Sequence, residues 1–221
     1  MDSVLTYRRD SGGELPVLVW RPGYPMMSIS SAAHGGGLGP RHWVINVTVP
    51  ADYDRPDPDA HLAEISAGLG LAGAGVGLLT AVDVALRVTA VDHGVRVTAT
   101  VGLGHPTWAA APDGDLRTEP RSGTVGTINV VGWLPARLGD AALVNAVATV
   151  AEAKAQALGD LRLASTGTAS DATCLLCPVD GDAEPYGGPR STWGARLARA
   201  THRAVLAAAA RDLGVPLPWP R

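Results

Sequence analysis

Alternating hydrophobic and polar positions along this chain predict more strands than helices. Runs of aliphatic and β-branched residues bounded by turn signals are typical of strands, and the chain contains seven of them: Val17–Trp20, Trp43–Val49, Val76–Val84, Leu86–Val91, Val95–Gly102, Thr124–Trp133 and Ala172–Cys177. The sequence Asp92-His93-Gly94 separates two of these runs and indicates a β-hairpin.

Three segments instead carry apolar residues at helical spacing. They run from Asp59 to about Leu69 with Asp59 as N-cap, from a capping Asp140 through Leu158 with Gly159 at the end, and from Thr192 to Leu213 before Gly214. Polar loops are expected at Ser28–Gly37, Gly104–Ser122 and Asp180–Pro189. Because strands outnumber helices and some pair as hairpins, we predict one α+β domain over residues 1–221, with a mainly antiparallel or mixed sheet packed by helices.

Composition narrows the function classes. The formal net charge of −3 argues against a protein that wraps nucleic acid, which needs a basic stripe. No run approaches the roughly 18 to 20 apolar residues of a membrane span, and the N-terminus lacks the pattern of a signal peptide, so we expect a cytoplasmic protein without membrane contact. The two cysteines, Cys174 and Cys177, lie in a predicted strand and are interpreted as buried thiols.

Two glycine-rich motifs suggest activities that their surroundings exclude. His34-Gly35-Gly36-Gly37 is similar to the oxyanion loop of esterases, but the chain has no G-x-S-x-G nucleophile elbow. Gly68–Gly73 has the spacing G-x-G-x-x-G, but a predicted helix precedes it and a strand follows, the reverse of a dinucleotide site. The first motif remains either a plain turn or a place where backbone amides approach an anion or carbonyl. The second is read as a helix end and connector.

The helix predicted from Asp140 holds the only lysine of the chain, Lys154, beside 17 arginines elsewhere. Lys154 falls on the apolar side, opposite a polar stripe formed by Asn145, Thr149, Glu152 and Gln156. Either Lys154 reaches solvent along its stem and the stripe is an ordinary solvated face, or Lys154 or Glu152 borders a pocket as charge stabiliser or general base. Since they lie on nearly opposite faces, one pocket would take only one of them.

Two further segments combine hydroxyls, glycine and polar groups beside predicted strands: Gly126-Thr127-Ile128-Asn129 and Ser165–Asp171. Such segments suit recognition of a carbonyl or an amide, and a threonine or serine beside a base can act as a nucleophile. Ordinary turns use the same residue types, so the local sequence leaves both interpretations open.

Together these segments resemble the adenosylcobinamide amidohydrolase family. The resemblance covers about Ser28 to Leu213, and the matching stretches follow one another in order: Ser30–Gly37, Gly77–Ala81, Gly126–Asn129, Ala142–Thr149, Glu152–Lys154 and Thr166–Asp171. Residues 1–25 and the loop Gly104–Ser122 carry no resemblance, and Cys174 and Cys177 are not part of the pattern.

The resemblance implies hydrolysis of the amide that joins a propionate arm of the corrin ring to aminopropanol. The products would be adenosylcobyric acid and 1-amino-2-propanol, which serve coenzyme B12 salvage. The implied partners are adenosylcobinamide and water, with no cofactor or protein-bound metal, and the six histidines show no ligand spacing. A homo-oligomer is left open.

For the chemistry we predict Glu152, Lys154 and Asp171 as catalytic residues. Backbone amides of Gly35–Gly37 would hold the carbonyl oxygen, Asp171 or Glu152 would activate water, and Lys154, beside Asp171 rather than Glu152, would stabilise the oxyanion. Thr127 or Thr168 as nucleophile is the competing mechanism. The predicted substrate-binding residues are Ser31, His34, Gly35, Gly36, Gly37, Thr80, Thr127, Asn129, Asn145, Thr166 and Thr168.

Three other functions stay open at this point. A self-processing amidase or peptidase would cut before Thr127 or Thr168, each of which follows a glycine. A corrinoid-binding protein without catalysis would carry the same recognition residues. The third alternative is an α+β protein unrelated to corrinoids.

Overall fold

Two β-sheets form the middle of the molecule in the computed structural model, which describes residues 1–10, 12–112 and 126–218. The first sheet has the order β1-β2-β5-β6, with β1 Val4–Asp10, β2 Gly13–Trp20, β5 Trp43–Thr48 and β6 Gly75–Thr80. The second has the order β4-β3-β12-β10-β8-β7, with β3 Met26–Ser30, β4 Gly37–Arg41, β7 Val88–Asp92, β8 Val95–Leu103, β10 Gly126–Trp133 and β12 Ala172–Cys177. The short strands β9 Pro106–Thr107 and β11 Gly167–Thr168 pair separately.

Three helices cover the outer faces of the two sheets: α1 Pro58–Gly68, α2 Asp140–Asp160 and α3 Thr192–Asp212. The first packs on the first sheet, where Leu62 and Ile65 join Val17 and Ile45 in one cluster. The other two pack on the second sheet. The fold therefore has four layers, α1, the first sheet, the second sheet, then α2 with α3, and a separate core fills each gap between layers.

Side chains along a strand point alternately to the two faces of its sheet, so one strand contributes to the cores on both sides. Along β10, Ile128 and Val130 belong to the core under α2 and α3, while Val131 belongs to the core between the sheets. A strand covered on both sides reads as a nearly continuous apolar run. A polar residue inside such a strand, such as Asn129, must therefore find partners within the protein.

Both sheets are mixed, which confirms the predicted α+β class. The pairs β5–β6 and β10–β12 are parallel, and the other strand pairs of the two sheets are antiparallel. The predicted hairpin is also confirmed, since His93 and Gly94 have φ angles of 44° and 89° between β7 and β8. Gly68–Gly73 is the end of α1 and the connection to β6, as the sequence indicated.

Several expected boundaries are wrong, mostly at loops. The N-terminal segment forms two strands rather than one, and the expected loop Ser28–Gly37 includes the end of β3 and the start of β4. The strand expected through Val84 ends at Thr80, because a 3₁₀ turn at Val84–Leu86, capped by Asp83, interrupts it. The N-caps are Asp57 and Gly139, one or two residues before the predicted Asp59 and Asp140. The expected strand start at Thr124 and part of the expected loop Gly104–Ser122 lie outside the described residues.

The two cysteines are free and buried, as predicted. Cys174 points into the core between the sheets and Cys177 into the core under the helices, since residues three apart on a strand face opposite sides. Burial raises the pKa of the Cys174 thiol to about 11. Among the helices that the structure describes, none is both long and apolar enough to span a bilayer.

Candidate active site

The parallel pairing of β10 with β12 brings their N-terminal ends side by side at one end of the second sheet. We call this place, where the residues before Asn129 and Ala172 lie, the strand edge. Asn129 pairs with Ala172, so the residues just before β12 lie beside the start of β10. The β11 segment lies there too, and α2 passes over it. The segments Gly126–Asn129, Glu152–Lys154 and Thr166–Asp171, far apart in sequence, thereby approach one another.

Lys154 and Asp171 form an ion pair at this edge. Lys154 Nζ lies 2.5 Å from Asp171 Oδ2, and the two side chains are 17% and 13% exposed. The same carboxylate accepts hydrogen bonds from the backbone amides of Thr168 and Ile128 and from the Thr168 hydroxyl. With these four donors, all four acceptor positions of the carboxylate are occupied. The pair is held rigidly from three chain segments.

Gly167 lies directly against this ion pair. A Cβ atom at Gly167 would lie 2.3 Å from Asp171 Oδ2 and 2.5 Å from Lys154 Nζ, closer than any real side chain approaches. A side chain at Gly167 would therefore displace one or both of the charged groups from their present positions.

Two hydroxyl groups, those of Thr127 and Ser170, form a pair, and Ser170 directly precedes Asp171 in sequence. The Thr127 and Ser170 hydroxyls are 2.7 Å apart, and Ser170 also donates to the carbonyl oxygen of Gly126 at 3.4 Å. Thr127 is 5% exposed, whereas Ser170 lies at the surface. Because Ser170 and Asp171 are adjacent, one peptide joins the hydroxyl pair to the ion pair.

A buried amide cluster occupies the gap between the sheets next to Thr127. Asn129 Nδ2 donates to Asn46 Oδ1 at 2.9 Å and to the Leu79 carbonyl at 3.0 Å, and Asn46 Nδ2 donates to the Thr100 hydroxyl at 3.0 Å. The Leu79 carbonyl only accepts, so it fixes which way the Asn129 amide points. Asn129 is 1% exposed, yet its Oδ1 has no hydrogen-bond partner among the described residues. An open buried acceptor of this kind is uncommon in native proteins.

Ser31 and His34, which belong to the loop that contains the glycine motif, lie in two different places. Ser31 remains near the strand edge, since its hydroxyl accepts from the Thr173 amide and its own amide donates to the Thr173 carbonyl. His34 turns to the α1 side, where its Nδ1 lies 2.7 Å from Asp59 Oδ1 and its ring stacks on Trp43.

Gly35, which follows His34, is fixed against the first sheet. Gly35 (φ 63°) packs so closely on Gly75 that a Cβ would lie 1.8 Å from the Gly75 carbonyl oxygen. Arg41 donates to the carbonyls of Gly35 and Gly36. His34 thus lies on the α1 side of the first sheet, and Lys154 lies on the helical side of the second. Gly36, by contrast, lies against the carbonyl oxygens of Ser30 and Ala32, and Gly37 begins β4 in the second sheet, so the oxyanion loop stays a prediction.

Three other predicted residues also lie apart from the ion pair. Glu152 is exposed on the opposite side of α2. Asn145, also exposed, borders a surface cavity of about 350 Å³ with Tyr186, Gly188 and Ser191. Thr80 is buried at the end of β6, where its hydroxyl accepts from the Val82 amide. Thr166, by contrast, is at the strand edge, and its hydroxyl accepts from the Ala109 amide.

Sequence reasoning missed four residues that these contacts involve: Asn46, Asp59, Thr100 and Ser170. For Asn46 a signal existed, because a lone amide stands in the aliphatic run Trp43–Val49, where an unsatisfied polar group is costly. The sequence instead predicts Asp59 as the N-cap of the first helix. Nothing in the local sequence separates Thr100 or Ser170 from the neighbouring hydroxyl residues.

Comparison with known proteins agrees with the motif order. The family model described as Adenosylcobinamide amidohydrolase matches residues 3–216, which includes most of the N-terminal segment where motifs gave no resemblance. The chain is 33% identical over 183 residues to the adenosylcobinamide amidohydrolase of Halobacterium salinarum, covering 77% of this chain and 75% of that protein. It is 26% identical over 186 residues to the enzyme of that name from Methanosarcina mazei, covering 80% and 87%. On this match, which spans nearly the whole chain, the protein belongs to the adenosylcobinamide amidohydrolase family.

Proposed function

We propose that this protein hydrolyses the amide between the corrin propionate arm and aminopropanol of adenosylcobinamide. Water adds its oxygen to the carbonyl carbon, the C–N bond breaks, and the amine leaves with a proton, giving adenosylcobyric acid and 1-amino-2-propanol. Family membership supports the reaction, and the ion pair of Lys154 with Asp171 is the observation that supports its location.

In this proposal Lys154 stabilises the negative charge that develops on the amide oxygen. An ammonium group has three N–H donors, and among the described residues only Asp171 accepts from Lys154. The remaining donors are available to a carbonyl oxygen, and the side chain is partly open to solvent. Fixed donors aimed at a developing oxyanion lower the barrier because they need no reorganisation during the reaction.

Asp171 first serves to hold Lys154 in place. Because its four acceptor positions are taken, it can activate water, as predicted, only if one of its hydrogen bonds opens when substrate binds. The position of Glu152 on the far side of α2 supports Asp171 over Glu152 for that role.

The hydroxyl pair offers the competing mechanism. Thr127 Oγ1 could attack the substrate carbonyl while its proton passes through the Ser170 hydroxyl, 2.7 Å away, to the amine that leaves. An acyl-enzyme on Thr127 would then be hydrolysed by water. Thr168 is the other candidate for nucleophile, because its hydroxyl donates at 2.5 Å to the carboxylate of Asp171, a base that could take its proton.

The test is incubation of the purified protein with adenosylcobinamide, followed by mass spectrometry of both products. Equal amounts of adenosylcobyric acid and aminopropanol are the expected result. Tight binding without product would contradict hydrolysis and favour a corrinoid-binding protein. Intact mass of the same preparation separates the remaining mechanisms. Two fragments that meet at Gly126-Thr127 or Gly167-Thr168 would indicate self-processing, and a mass increase on Thr127 during turnover would indicate the covalent route.

A further inference from the structure

Trp108 exposes a large aromatic side chain to solvent. It is 53% exposed, whereas Trp20 and Trp43 are buried and Trp133 and Trp193 are partly buried. Single exposed apolar residues are common, so exposure alone does not assign a role. Two further observations do: how Trp108 is held, and what lies next to it.

The backbone on both sides of Trp108 is fastened to the segment that borders the ion pair. Before it, Thr107 pairs with Gly167 and accepts from the Thr166 amide at 3.0 Å. After it, the Ala109 amide donates to the Thr166 hydroxyl at 2.8 Å. The Ala111 amide closes a turn onto the Trp108 carbonyl at 3.2 Å. Trp108 is therefore anchored beside Thr166 and Gly167, and Gly167 in turn touches Lys154 and Asp171.

Five surface cavities on the described part of the chain are small compared with a corrinoid. Five cavities on the described part of the chain measure about 250 to 370 Å³, and none of the five is lined by Lys154 or Asp171. Cavities of this size hold at most a drug-sized molecule. A macrocycle that carries an adenosyl group is much larger, so only its reacting arm could enter a site at the strand edge.

We propose that Trp108 is the platform on which the corrin ring of the substrate lies, with the amide arm directed to Lys154. This inference rests on the proposed function and adds a residue that recognises the ring. An indole offers a wide, rigid apolar face at low cost in side-chain entropy, which suits contact with the apolar parts of the corrin ring. Trp108 is a binding residue here, and its loss affects binding more than the chemical step.

The experiment compares Trp108→Ala and Trp108→Phe with a control, Tyr24→Ala. Tyr24 is also exposed, at 60%, but follows β2 of the first sheet. For each protein, KM and kcat are measured with adenosylcobinamide, and the Kd for cobinamide is measured by equilibrium dialysis. Cobinamide is the probe because binding is then read independently of turnover. Thermal unfolding checks that each variant is folded.

Trp108→Ala is expected to raise KM and Kd about tenfold with kcat within about twofold, as for the loss of uniform binding. Trp108→Phe should restore most of the affinity, and Tyr24→Ala should match the wild type. Unchanged Kd in Trp108→Ala, a fall in kcat alone, or an equal effect of Tyr24→Ala would overturn the inference. A wild-type protein that turns over adenosylcobinamide while Trp108→Ala binds normally overturns only this inference. A wild type that neither binds nor cleaves corrinoids overturns the proposed function as well.

Discussion

Lys154 of α2 donates to Asp171 at the start of β12 across 2.5 Å, although 17 residues separate them in sequence. After α2 ends at Asp160, the chain reverses direction and returns through Thr166–Ser170 to make this contact. Both side chains are mostly buried, and removing one partner of a buried pair leaves the other charge without compensation. In the proposed mechanism, the geometry of this pair therefore affects activity as well as stability.

Replacing Lys154 with Met should lower turnover of adenosylcobinamide by a factor of about 10² to 10³, the usual effect of losing one oxyanion donor. The free energy of unfolding should also fall, by about 1 to 3 kcal/mol, because Asp171 keeps only its uncharged donors. Product formation and urea unfolding measure the two effects. Gln156→Ala, a change at an exposed position of the same helix, should behave as the wild type. Near-normal turnover in Lys154→Met would remove Lys154 from the mechanism.

Gly167→Ala should reduce activity almost as much as the loss of Lys154. The added methyl would overlap both Asp171 Oδ2 and Lys154 Nζ, so the ion pair must open to admit it. Gly159→Ala is the matched control, since that glycine has nothing within 4 Å of its ideal Cβ and lies in α2. The control should raise the free energy of unfolding by about 0.5 to 1 kcal/mol without changing turnover. An active Gly167→Ala enzyme would show that the ion pair tolerates displacement.

Single and double replacements in the amide cluster of Asn46 and Asn129 separate a structural role of these residues from a role in substrate binding. Asn46→Leu or Asn129→Leu alone should destabilise the protein by about 1 to 3 kcal/mol, because each strands a buried polar partner. The double variant should be less destabilised than the sum, since apolar groups replace both partners. If Asn129 binds substrate, as predicted, the folded double variant should still lose at least about tenfold in turnover. Full activity would make the cluster purely structural.

The pH dependence of stability should show a contribution from Asp92. Bonds to the Arg199 and Arg203 guanidinium groups hold the pKa of this carboxyl at about 2, below its ordinary value of 3.8. A depressed pKa in the folded state stabilises the protein above pH 4, and this stabilisation disappears as the pH falls toward 2. Both arginines are about half exposed, so solvent screening limits the contribution to about 1 to 2 kcal/mol.

Asp92→Asn measures this contribution in urea unfolding at several pH values. The variant should be less stable than the wild type at pH 7, and the difference should shrink between pH 4 and pH 2. A difference that stays constant over this range would mean that Asp92→Asn removes contacts between β7 and α3 that do not depend on the charge of Asp92.

The sequence alone predicted most of the helices and strands and the family. Alternation in Val95–Gly102 predicts a strand because the period of side chains along a strand is fixed by the backbone, and the apolar run in Ala172–Cys177 predicts a strand buried on both faces. The order of Gly126–Asn129, Glu152–Lys154 and Thr166–Asp171 indicates the family without any knowledge of the fold, and the solitary Lys154 distinguishes its helix from the other two. These signals are local, so one segment at a time is sufficient to read them.

Only the tertiary structure decided which of these residues meet. Alternation along the strand predicts that the side chains of Asn129 and Ile128 point to opposite faces of the sheet. It does not predict that β10 pairs with β12 or that Asn46 contacts Asn129, because these contacts join residues more than 40 positions apart. The same holds for His34, which the sequence predicts as a substrate-binding residue and whose ring the fold places against Asp59 on the α1 side of the first sheet. The number of layers and the sheet to which each strand belongs depend on burial of all the apolar faces at once, and no single segment carries that information.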